Sequence, residues 1–178
     1  MRFSETSLPG LWVIDLDLRE DARGFLARTF CENEFADHSL NTRWPQCNLT
    51  LTIRRGTIRG MHFQIDPKPE IKLIRCTRGA IFDVLVDVRP NLPTFGRWAA
   101  FELTSENRRA LYVPGGFAHG FQCLEDNCEV AYQMSEFYAP DLARGIRWND
   151  PQVGIKWPIE NPFLSDRDRE LPLISDLA

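Results

Sequence analysis

Two histidines with unusual neighbours are the first residues in this chain that could do chemistry. The stretch Gly56-Thr57-Ile58-Arg59-Gly60-Met61-His62-Phe63-Gln64 sets His62 between an arginine and a glutamine. The glycine-rich run Pro114-Gly115-Gly116-Phe117-Ala118-His119-Gly120-Phe121 carries His119. Lys72 and Tyr132 are each a single reactive group in an otherwise apolar run. Imidazole, phenol and ammonium together point to proton transfer at neutral pH, because an unperturbed histidine titrates near pH 6.5. Two other readings stay open: a barrel that binds a metal, and one that binds a ligand without chemistry.

Strand parity decides which of these groups can meet. His62 shares a face with Gly60 and Gln64, Lys72 with Ile74 and Cys76, His119 with Phe117 and Phe121, and Tyr132 with Val130 and Met134. Each polar group thus sits among apolar or small neighbours, as in a pocket lined by hydrophobic side chains with a few polar ones. Arg59 has the wrong parity to join His62, and a bulge at Gly60 would correct this. Taken singly, each residue has an ordinary role. A strand histidine is usually hydrogen-bonded, a strand tyrosine packs, and a strand lysine reaches out to solvent. Their joint placement beside glycine-rich turns carries the functional reading. A metal site would need two or three histidines plus a carboxylate. The only other histidine is His38, in a candidate helix, so no metal is expected.

The elements that must position these groups are mostly strands. Leu11 to Leu18 reads as a strand, and Asp21-Ala22-Arg23-Gly24-Phe25 supplies turn chemistry. Glu32 to Leu40 is a short peripheral helix with Phe35 and Leu40 as its large apolar anchors. In Asn48 to Ile53 the odd positions are apolar and the even ones polar, the period of a half-buried strand. Further strands are expected at Thr57–Gln64, Ile71–Thr77, Ala80–Val88, Arg97–Leu103, Ala110–Val113, Phe117–Leu124 and Cys128–Phe137. In Ala80–Val88, Asp83 and Asp87 share the face opposite Phe82, Val84, Val86 and Val88. Short strands with frequent turns indicate an all-β sandwich or barrel. After Pro140 the texture becomes irregular.

The 178 residues fit a single domain spanning 1–178. A formal charge of −4 without a basic block argues against nucleic acid as a partner. Five cysteines, Cys31, Cys47, Cys76, Cys123 and Cys128, form no Cys-x-x-Cys pair and read as reduced thiols. Nothing favours Cys47 as a catalytic nucleophile. No apolar run reaches membrane-spanning length, and there is no signal pattern. The expected location is the cytoplasm.

With these motifs in order, the chain resembles the deoxythymidine-diphosphate-4-dehydrorhamnose 3,5-epimerases, metal-free sugar epimerases of the cupin class. The resemblance runs through Asp21-Ala22-Arg23-Gly24-Phe25, Gln46-Cys47-Asn48, Ile58 to Gln64, Lys72-Leu73 and Pro93-Thr94-Phe95-Gly96. It continues through Pro114 to Phe121, Phe137-Tyr138-Ala139-Pro140, Gly145 to Pro151 and Leu164-Ser165-Asp166-Arg167-Asp168. It implies a cupin-type jelly-roll barrel with a few short helices and a homodimer that exchanges N-terminal strands. It implies that His62 is the general base oriented by Asp168, that Tyr132 is the acid on the opposite face of the sugar, and that Lys72 stabilises the enolate oxygen. Arg23 and Arg59 would hold the diphosphate, while Gln46, Cys47, Asn48, Phe25, Arg28 and Arg167 would line the nucleotide-sugar site. His119 would contact substrate, and Tyr138 would pack against the base. No cofactor is implied.

That set suits the chemistry. Inverting a carbon beside a ketone needs a proton removed from one face and another returned to the other. The developing enolate needs a fixed positive partner, and one such donor is worth about 3 kcal/mol of barrier. A planar guanidinium suits a diphosphate. Three positions depart from the family pattern: Arg28 and Ala143 stand where glutamates are usual, and Arg167 replaces a lysine. The expected reaction is epimerisation at C3, C5 or both of a nucleotide-linked 4-keto-6-deoxyhexose, with dTDP-4-dehydro-6-deoxy-D-glucose as the leading substrate. The alternatives are a non-catalytic sugar-nucleotide binder, a ketoisomerase relative, and a metal-dependent dioxygenase on the same barrel.

Overall fold

Alternating apolar residues fold this chain into thirteen strands, which the computed structural model, describing residues 1–177, pairs into two facing antiparallel sheets and a separate hairpin. In chain order the elements are β1 (Arg2–Glu5), β2 (Trp12–Asp15), β3 (Arg19–Asp21), β4 (Gly24–Leu26), α1 (Glu32–Asp37), β5 (Gln46–Thr52), β6 (Ile58–Gln64) and β7 (Lys72–Arg78). There follow β8 (Ala80–Asp87), β9 (Trp98–Thr104), β10 (Ala110–Val113), β11 (Phe117–Cys123), β12 (Cys128–Met134), β13 (Ala143–Gly145) and α2 (Asp166–Arg169). One sheet runs β1-β2-β10-β7-β12-β5, the other β13-β6-β11-β8-β9, and β3-β4 stands apart. This is the jelly-roll architecture of the cupin class. Among the described residues no helix is long and apolar enough to cross a membrane.

The sheets bury one core between them and one on each outer face. Ile74, Leu111, Val113 and Val130 of the six-stranded sheet meet Leu85, Leu103, Phe117 and Phe121 of the other. The C-terminal segment packs Ile146, Val153, Ile155 and Ile174 over the outward face of the five-stranded sheet, against Met61, Val84, Val86 and Ala118. On the far side α1 inserts a fully buried Phe35 against Ile14, Leu73 and Tyr112, a burial worth about 1.5–3 kcal/mol.

Local departures from the expected elements have plain causes. The helix stops at Asp37, and the chain turns at Ser39, which has φ 57°. The strand at Leu11 to Leu18 shortens to Trp12–Asp15, and the tail contributes the short helix α2. The alternation in β5 is real, but its sense is inverted. Leu49, Leu51 and Ile53 are 62%, 49% and 70% exposed, because the polar side of this edge strand lines a cavity. Turning the polar side inward leaves the apolar side with no cover in one copy of the chain.

Candidate active site

The sites of the two histidines are built by a bulge. Across β6 and β11 the register runs His119 opposite His62 and then Phe121 opposite Arg59. Two steps on β11 therefore match three on β6, and the extra residue falls at Gly60–Met61. Gly60 has φ +134°, and a Cβ there would lie 2.5 Å from the Gly120 Cα, so no side chain fits. The bulge rotates Arg59 to the His62 side, as parity alone does not allow.

His62 and His119 come from the five-stranded sheet; Lys72 and Tyr132 come from β7 and β12 of the facing sheet. All four line one hollow of about 310 Å³, together with Thr50, Arg59, Phe121, Ser165, Arg167 and Asp168. An adjoining hollow of about 170 Å³ shares His62, Lys72, Tyr132 and Arg167 and adds Gln46, Asn48, Glu70 and Tyr138. A larger hollow beside Phe63, Arg89 and Pro172, about 530 Å³, is lined by no histidine, lysine or tyrosine. Among the described residues, no three His, Cys, Asp or Glu side chains are grouped to hold a metal ion.

The polar contacts define a directional arrangement. His62 Nε2 lies 2.7 Å from Asp168 Oδ1, and the Gly60 backbone N–H donates to Asp168 Oδ2 at 3.3 Å. Ser165 caps α2 by accepting from the Asp168 N–H at 3.1 Å. Burial pushes the Asp168 carboxyl up, but the His62 hydrogen bond and charge, with the Gly60 and Ser165 contacts, outweigh it and hold the carboxyl below its ordinary value. An ionised Asp168 makes His62 Nε2 the donor and leaves Nδ1 as the basic nitrogen. The segment that carries Asp168 is fastened before it by the Ile58 N–H donating to Phe163 O at 2.9 Å and after it by Arg147 and Asp150. Arg147 donates from its backbone N–H to Pro172 O at 2.8 Å and from Nε to Leu171 O at 3.0 Å. Asp150 Oδ2 accepts from the Ile174 N–H at 2.6 Å.

Across the cavity, Lys72 Nζ donates to His62 O at 3.3 Å and lies 2.9 Å from Glu70 Oε1. Arg59 is held from β5, its Nε donating to Thr52 Oγ1 at 2.9 Å. No carboxylate among the described residues pairs with Arg59 or Arg167, so both are available to an anion. Gln46 Oε1 accepts from the Tyr138 N–H at 3.1 Å and places Tyr138 at the rim.

Not every expected residue arrives at this cavity. Cys47 is exposed and points, by strand alternation, to the outer face of β5. Arg23 sits on the β3–β4 hairpin with its side chain 90% exposed and paired with Asp21 at 2.6 Å. Phe25, on the same hairpin, lies under the Arg108 guanidinium. Arg28 pairs with Glu34 at 3.0 Å, outside the cavity. Two residues outside the expected set contact it, Glu70 beside Lys72 and Asp83 beside His119. Asp83 Oδ2 meets His119 Nε2 at 2.9 Å with Asp83 fully buried. The signal was an acid set in the middle of the apolar run of β8, since a buried carboxylate requires a partner.

Comparison with known proteins follows this geometry closely. The profile of the dTDP-4-dehydrorhamnose 3,5-epimerase family matches residues 5–176. A dTDP-4-dehydrorhamnose 3,5-epimerase of Methanothermobacter thermautotrophicus is 44% identical over 171 residues, 94% of this chain and 91% of that protein. The Bacillus anthracis dTDP-4-dehydrorhamnose 3,5-epimerase with TDP and PPi bound superposes with a TM-score of 0.94 at 40% identity, covering 97% of this chain and 98% of that one. The Legionella pneumophila dTDP-6-deoxy-D-glucose-3,5-epimerase in complex with dTDP-4-keto-L-rhamnose gives a TM-score of 0.94 at 32% identity, over 99% of this chain and 94% of that one.

Proposed function

Because the chain belongs to the dTDP-4-dehydrorhamnose 3,5-epimerase family, we propose that it epimerises dTDP-4-dehydro-6-deoxy-D-glucose to dTDP-4-dehydro-L-rhamnose in deoxysugar biosynthesis. His62, backed by Asp168, takes the proton from a carbon beside the C4 ketone. The electron pair moves onto the C4 oxygen, and the Lys72 ammonium donates to that oxyanion. Tyr132 returns a proton from the other face. The observation that supports this reading is the placement of His62 and Tyr132 on opposing sheets around one hollow, with Asp168 2.7 Å from the imidazole. Arg59 and Arg167 bind the diphosphate, Gln46 and Asn48 the nucleotide end with Tyr138 packed against the base, and His119 the sugar.

The working unit is a homodimer. The exposed β3–β4 hairpin carries Arg23 and Phe25 away from the chain's own cavity, and the apolar outer side of β5 is uncovered. A second copy supplies a use for both: it covers β5 and receives the hairpin, whose Arg23 completes the diphosphate site. Light scattering should give twice the monomer mass. Incubation with the 4-keto sugar nucleotide in heavy water should place deuterium at C3 and C5. Deuterium at neither carbon would sink the proposed reaction. Tyr132→Phe should keep the exchange and lose the inversion.

A further inference from the structure

Glu70 belongs to the cavity wall, yet the proton transfers make no use of it. It stands two residues before Lys72, and in an extended chain residues two apart point to one side. Its Oε1 lies 2.9 Å from Lys72 Nζ, with the two side chains only 10% and 8% exposed. The second acceptor of Lys72 is the carbonyl of His62, at 3.3 Å. An ammonium group has three N–H donors. Two of them are directed at these acceptors, and the third remains for a substrate oxygen.

We propose that Glu70 is a positioning residue that orients the Lys72 ammonium, so that its free N–H meets the enolate oxygen. The inference rests on the reading of Lys72 as the enolate-stabilising group. A buried ammonium without a nearby anion is strongly disfavoured. A lysine side chain also has four rotatable bonds and, left untethered, would spread its charge over many positions. The value of such a donor lies in being fixed before the charge develops. Because His62 O is the other tether, the same contacts tie the ammonium to the strand that carries the base.

The test is a double-mutant cycle on Glu70→Ala and Lys72→Ala, with Glu70→Gln as the conservative variant. Deuterium exchange at C3 and C5, kcat, KM and melting temperature are measured for each. Glu70→Ala should lower kcat about 10- to 100-fold while KM stays within about threefold, and Glu70→Gln, which keeps an acceptor, should lower it less but by at least about threefold. In the Lys72→Ala background, Glu70→Ala should change the exchange rate by less than about twofold, because its effect runs through the lysine. If Glu70→Ala fails to fold, Glu70→Gln alone should show a fall in kcat at constant KM. Wild-type kcat in both Glu70 variants, or an equal loss in both backgrounds, overturns the role of Glu70. Undiminished exchange in Lys72→Ala itself overturns the Lys72 reading beneath it.

Discussion

The molecule holds two histidine–aspartate pairs side by side, His62–Asp168 and His119–Asp83, at 2.7 and 2.9 Å. The histidines face each other across β6 and β11, so their chemistry and position are nearly matched. Their surroundings are not. The His62 side chain is 38% exposed, and both oxygens of its aspartate are engaged. The His119 side chain is 10% exposed, and the Oδ1 of its fully buried aspartate has no partner. Asp168 arrives from a helix 106 residues away in sequence, whereas Asp83 is part of the sheet itself. The more open pair is assembled from a separate segment, while the pair built into the sheet meets the cavity only through the exposed tip of its imidazole. Accessibility of the imidazole, more than the presence of an acid beside it, separates a candidate base from a candidate binding residue.

The sharpest break of this comparison is to remove each imidazole in turn. His62→Ala should lower the exchange rate by about a thousandfold or more, the scale of a lost general base with its electrostatic support. His119→Ala should cost no more than about a hundredfold and should act partly through KM. Equal losses would mean that both histidines transfer protons.

Exchanging the acids comes next. Asp168→Asn removes the charge that holds the Nε2–H tautomer of His62 and should lower kcat about a hundredfold with little change in KM. The effect of Asp83→Ala should appear in stability instead, because it strips the partner from a buried imidazole; the expected loss is about 1–3 kcal/mol in denaturant unfolding. A stability loss for Asp168→Asn exceeding that of Asp83→Ala would invert the assignment.

How much of this was legible in the sequence depends on distance along the chain. Period-two alternation placed most strand cores to within a residue or two, because side-chain parity is a local property. The bulge at Gly60 was also readable, since a glycine that must accept φ +134° leaves its mark at that one position. The sense of the β5 alternation was not readable. Which side of an edge strand faces inward depends on what the cavity needs and on what covers the outside, and neither is local. The His62–Asp168 contact depends on α2 folding back across the sheet, held by Arg147 and Asp150. Only resemblance to a family could place it beforehand. Glu70 and Asp83 left weaker local signals, a same-side spacing to Lys72 and an acid in the middle of an apolar run.

The smallest expected effect concerns the contribution of the Asp168 charge to acid stability. The folded carboxyl of Asp168 is held below its ordinary value, burial being outweighed by the His62 and backbone contacts. A group whose folded pKa is depressed stabilises the fold above its unfolded value, about 3.9 for aspartate, and loses that contribution as pH falls through the folded value. The melting temperature of Asp168→Asn should therefore lie below that of the wild type at neutral pH. The gap should narrow as pH falls below about 4, where the unfolded carboxyl takes up its proton, and close once pH has passed the lower folded value. A gap that stays constant from neutral pH down to about pH 3 would mean that the lost stability comes from packing or from the Ser165 cap rather than from the charge facing His62.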